Sequence, residues 1–74
     1  MVLDIVVHKT DDGFTAEIPS LKGCELWAAH EEEVLDKILD LAAYYLKFDS
    51  KKQFKLDKAR SRNNRTIYKL VFHK

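Results

Sequence analysis

One stretch of this chain, residues 31–48, repeats its apolar side chains with a helical period, while the segments on either side alternate with a period of two. At the helical angle of about 100° per residue, Val34, Leu35, Ile38, Leu39, Leu41, Ala42, Tyr45, Leu46 and Phe48 fall within about half the circumference. Asp36, Lys37, Asp40 and Lys47 take the opposite arc. An arc that wide is more than a narrow seam requires: one part is expected to cover the sheet built by the alternating flanks, and the rest is available to another subunit. Glu31, Glu32 and Glu33 stand in the first turn, where carboxylates favour the positive end of the helix dipole. His30 falls at the N-cap, where Ser, Thr or Asp would bond better.

The flanks read as strands. Val2 to Lys9 places Leu3, Ile5 and Val7 on one face and Val2, Asp4, Val6 and His8 on the other. Thr10-Asp11-Asp12-Gly13 is a turn in which Gly13 is expected to supply a positive φ. Phe14 to Ile18 is a second strand that Pro19 ends, because proline has no N–H to give to a ladder. After a loop over residues 20–23, Cys24 to Ala28 is a third strand. Beyond the helix, Phe54 and Leu56 alternate while Leu56 and Ala59 keep helical spacing, and the reading over 49–62 leans towards strand. Asn63-Asn64 is a turn signal, and Arg65 to His73 is a strand with Tyr68, Leu70 and Phe72 on one face.

The fold class is therefore α+β: an antiparallel-rich β-β-β-α-β(-β) sheet with one long helix packed on one face. Leu3, Ile5, Val7, Phe14, Ala16 and Ile18 are expected to meet the helix. Val6, Trp27, Ile67 and Val71 fall on the second face and mark an oligomer interface, since an uncovered apolar patch usually marks an interaction site. The plainer alternative has residues 49–62 folding across that patch.

With 74 residues the chain is one domain, spanning 1–74. A domain this short buries only about 60% of its unfolded surface, which favours a homo-oligomer or a bound partner. No apolar run reaches the roughly 18 residues of a membrane span, so no membrane partner is expected. Met1-Val2-Leu3-Asp4 puts an acid where the apolar part of a secretory leader would be, and Cys24 is alone; both point to the cytoplasm.

Charge is unevenly laid out. Residues 1–50 carry four lysines against eleven carboxylates, −7, and residues 51–74 carry nine cations against Asp57, +8. The basic stretch offers Arg60, Arg62 and Arg65 to a nucleic-acid backbone, with Phe54 and Tyr68 nearby for stacking. The bland alternative is two halves that neutralise each other across one fold.

Catalytic chemistry finds little to stand on. His8, His30 and His73 are far apart, with no Cys or His neighbour at zinc spacing. Cys24 sits in a pattern of small packing residues, and the carboxylates at 31–33, 36 and 40 run along one helix rather than converging from several elements. There is no glycine-rich phosphate loop. The expectation is a non-enzyme with no catalytic residue, metal or cofactor.

Asp12, Gly13, Phe14 and Ala16, then Pro19, Leu21, Gly23 and Cys24, then Glu32, Glu33, Leu35 and Ile38 form an ordered pattern. It resembles the HicB-like antitoxin domain, with its D-G-[FY]-x-A hairpin, P-x-L-x-G-C loop and acid-opened helix. The resemblance covers about residues 1–48; residues 49–74 are a basic segment plus a C-terminal strand. It departs from the family at Ala28 and His30, and after Phe48 there is room only for a strand or two where many members add a DNA-binding segment. The resemblance implies a short stand-alone member with a partial RNase H-like fold. It implies a non-catalytic module that occludes HicA, a small toxin that cuts mRNA. Such RNA-binding toxins are basic, so the acidic arc of Glu31, Glu32, Glu33, Asp36 and Asp40 is the expected partner-binding surface.

Overall fold

In the computed structural model, which describes residues 1–73, five strands form one sheet. They are β1 (Val2–Lys9), β2 (Phe14–Glu17), β3 (Glu25–Ala28), β4 (Lys55–Arg62) and β5 (Arg65–Val71), and helix α1 (Glu31–Leu46) joins β3 to the second pair. Every pairing is antiparallel and the order is β3-β2-β1-β5-β4, so the α+β reading holds. β1 is central, and its register runs from Val2 opposite Val71 to His8 opposite Arg65.

One face of the sheet carries the core. Ile5, Val7, Ala16 and Leu70 from the strands, and Ile18 beside β2, are buried with Val34, Ile38 and Ala42 of α1. Leu3 and Phe14 are partly buried against the same cluster, as their strand phase predicts. Past the helix the core is closed by rings: Phe48, Phe54 and Phe72 meet edge-on, with centroids 5.3–5.7 Å apart. Edge-on packing sets the positive rim of one ring against the negative face of the next.

Local differences from the sequence reading have physical causes. The helix stops at Leu46 rather than Phe48, because Lys47 takes a left-handed conformation (φ 61°). Its N–H and that of Phe48 then bond back to carbonyls in the last turn, at Tyr44 and Ala43, which satisfies orphan acceptors at the helix end. Phe48 thereby leaves the helix face and joins the ring cluster. His30 is the N-cap and its side chain makes no capping bond. Ile18 and Cys24 lie one residue outside their ladders, bonded to each other by Ile18 N–H to the Cys24 carbonyl at 2.9 Å, and β5 ends at Val71 rather than His73.

The segment 49–62 divides. Lys51–Gln53 is a single 3-10 turn started by the Ser50 hydroxyl, which accepts from the Lys52 N–H at 3.1 Å. Residues 55–62 are β4, an edge strand beside β5 rather than a flap across the open face. A register shift between Lys58 and Arg60 makes Ala59 a bulge, which breaks the alternation begun by Phe54 and Leu56. The bulge and the charges at Lys55, Lys58, Arg60 and Arg62 are the devices that keep an exposed edge from recruiting another strand.

Gly13 does not take the positive φ expected of it; Gly23 (φ 81°), Lys47 and Asn63 are the residues that do. Gly13 is needed for room. A Cβ there would lie 2.5 Å from the Ala28 carbonyl oxygen and 2.8 Å from the Trp27 Nε1.

Candidate functional site

The face of the sheet away from α1 is open, and the pairing registers lay its side chains out in rows. One row runs Glu25, Glu17, Val6, Ile67, Arg60 from β3 to β4. The next runs Trp27, Thr15, His8, Arg65, Arg62 in the same direction. Each row begins acidic or aromatic, passes through the middle of the sheet, and ends in arginine. Of the four residues expected to form an apolar interface, Val6 and Ile67 are direct cross-strand neighbours. Val71 lies between Val2 and Lys55 in a separate row, and Trp27 is in the His8 row. Trp27 is 48% exposed, a large indole left half in water.

At the β3 end, Glu17 and Glu25 stand directly opposite each other, a like-charge pairing that is destabilising in a sheet. Neither forms an ion pair among the described residues. With Thr15 and Trp27 they line a shallow groove of about 380 Å³. At the β4 end, Arg62 and Arg65 are also direct partners, and Arg60 joins them with Ile67 around a hollow of about 180 Å³. These arginines likewise have no carboxylate partner among the described residues. His8 is next to Arg65 by register.

The acidic residues of α1 are partly committed within the molecule. Glu31 accepts a hydrogen bond from the Tyr68 hydroxyl at 3.2 Å. Burial, and then the Glu31 charge, pushes the Tyr68 phenol up. Glu33 meets Lys37 one turn on at 3.5 Å. Asp36 and Asp40 both hold Lys51, whose amine is pushed up chiefly by its hydrogen bond to Asp36. These pairs are exposed, and such pairs contribute little to stability. Among the described residues Glu32 makes no ion pair, and Tyr44 at the far end of the helix is 81% exposed.

Glu17, Glu25 and Tyr44 are surface residues that sequence reasoning passed over. Strand alternation places both glutamates outward, yet only the β2–β3 register shows them opposed. Tyr44 falls between Asp40 and Lys37 at about 100° per residue, within the charged arc, so helical periodicity was the signal that could have found it.

Cys24 is buried beneath the loop, and burial pushes its thiol up, away from the reactive thiolate. A thiol reagent should therefore leave the native protein unmodified and label Cys24 stoichiometrically in denaturant; fast labelling without denaturant would show the loop open. Among the described residues no group of three or more His, Cys, Asp or Glu is placed to hold a metal ion. No helix is long and apolar enough to cross a membrane. No protein-family model, curated protein or solved structure matches the chain.

Proposed function

We propose that this chain is a non-catalytic, HicB-type antitoxin-like binding module of the cytoplasm, which occludes a small basic protein such as a HicA-type mRNA-cleaving toxin. The observation that carries the reading is the outer face of α1. It carries Glu32, Glu33, Asp36 and Asp40 with the cations Lys37 and Lys51 among them, and it ends in the exposed Tyr44 ring, while Glu31 is turned inward to the Tyr68 hydroxyl. An acidic surface with an exposed aromatic anchor suits a basic protein: the charge speeds and orients encounter, and the ring supplies buried area. Support also comes from the residues that carry the resemblance. Gly13 admits a close backbone approach, Gly23 takes φ 81°, and Cys24 packs in the core, so each has a structural job in a hairpin, loop and helix of the family's order.

The test is co-purification of the tagged chain with small basic proteins encoded beside it. Retention is expected, with Tyr44→Ala plus Glu32→Lys weakening it at least tenfold, about 1.4 kcal/mol. Failure to retain any such protein, or retention indifferent to both substitutions, would remove the support.

A second reading, nucleic-acid binding, is favoured by Arg60, Arg62 and Arg65 sharing one end of the sheet without carboxylate partners. If each meets one phosphate of a single strand, log affinity should fall with log salt at a slope of about −2. Flat salt dependence of RNA retention would dismiss this reading.

A further inference from the structure

We propose that the open face of the sheet pairs with the same face of a second copy, in a two-fold dimer whose axis runs along the strands. The row Glu25, Glu17, Val6, Ile67, Arg60 crosses all five strands. Its β3 end (Glu25 and Glu17) is acidic and its β4 end (Arg60) basic, neither end is ion-paired among the described residues, and Val6 and Ile67 between them are apolar. With neighbouring strands about 4.8 Å apart, the ends are separated by roughly 19 Å. That is far too long for Glu25 and Arg60 of one copy to meet each other. A second copy brings the missing partners.

Two sheets that pack face to face lie about 10 Å apart, within reach of opposed long side chains. Rotation about an axis parallel to the strands and over the central strand β1 exchanges the β3 and β4 ends. Glu25 of each copy then faces Arg60 of the other, Glu17 faces Ile67 with Arg65 diagonal to it, and Val6 faces Val6. In the neighbouring row Trp27 lies over Arg62, a cation on an indole face. The alternative two-fold, perpendicular to the strands, sets glutamate on glutamate and arginine on arginine. Like charges so juxtaposed oppose association, so the charge order selects the first arrangement. A further row runs Asp4, Lys69, Asp57; Lys69 is ion-paired to Asp4 and stands opposite Asp57 by register, so one amine serves both carboxylates of that row. The interface is isologous: Glu25–Arg60 and Trp27–Arg62 each occur twice, and Val6 meets Val6 on the axis.

This dimer does not depend on the partner proposed above, because α1 lies on the opposite side of the sheet and its outer face still points to solvent. It does engage Arg60 and Arg62, and RNA would compete for them.

Trp27 is the chain's single tryptophan, so its emission reports the contact directly. Sedimentation velocity of the full chain should show a monomer–dimer equilibrium, and the Trp27 emission should move to the red on dilution. Glu25→Arg and Arg60→Glu should each weaken dimerisation at least tenfold while leaving the circular dichroism unchanged. Mixed in equal amounts, the two variants should dimerise with each other, because Arg at 25 then faces Glu at 60 in one half of the contact and the unaltered Glu25 faces the unaltered Arg60 in the other. A wild-type chain that is monomeric at all concentrations would overturn the proposal. So would single variants that dimerise normally, or variants that stay apart when mixed.

Discussion

Replacing Phe72 by alanine is expected to cost about 3–5 kcal/mol, the range for removing a buried phenylalanine from a packed core. Phe72 is 2% exposed and touches both Phe48 and Phe54, so its loss empties the centre of the ring cluster. Those contacts tie the end of β5 to the segment leaving α1 and to the entry of β4. The expected stability of a chain of this length is about 4–11 kcal/mol in total. The substitution therefore removes a large share of it. Urea unfolding followed by Trp27 fluorescence should show a midpoint lowered by about a quarter or more, or no folded baseline at all. A change below about 1 kcal/mol, typical of a surface site, would show that the ring cluster is not packed as described.

Gly13→Ala is expected to be nearly as damaging, and for a different reason. The added Cβ would stand 2.5 Å from the Ala28 carbonyl oxygen, which is backbone and cannot swing aside. Trp27 Nε1, at 2.8 Å, is the second obstacle. The turn and the β2–β3 edge have to separate, with a cost of about 1–3 kcal/mol for overpacking, or more where backbone must move. The contrast is Gly23→Ala. There the nearest atom is the Tyr45 hydroxyl at 3.1 Å, and the penalty is conformational, because φ is 81°. That penalty is about 1–2 kcal/mol. If Gly13→Ala unfolds at the wild-type urea concentration, the tight approach between turn and edge strand is wrong.

The Gly13 case shows what a sequence can carry. The turn was legible from Asp-Asp-Gly between two alternating runs. The reason for glycine was not, because Ala28 and Trp27 reach it only once β3 pairs with β2. The helix and strands β1 and β5 were legible throughout, since periods of 3.6 and 2 are written locally and α1 and β1 each bury one face. The helix end was misplaced because the apolar period runs on through Phe48 while the backbone turns at Lys47. β4 was hard to read because only Leu56 is even partly buried there and the Ala59 bulge then breaks its phase. For the surface, composition located the basic stretch and the acidic helix. It could not show that Lys51 is held by Asp36 and Asp40, nor that Glu17 opposes Glu25 and Arg62 opposes Arg65. Those are facts of register and of a loop folding back.

The pairing of β1 with β5 bears on how the polypeptide is made. The first strand is complete within nine residues, yet one of its two ladders is filled by residues 65–71. A nascent chain emerging from the ribosome exposes β1, β2, β3 and the apolar side of α1 before that ladder can form. Sequence-distant pairings of this kind slow folding and leave sticky intermediates. The last strand acts as a latch, and the domain is expected to close only after translation has passed it.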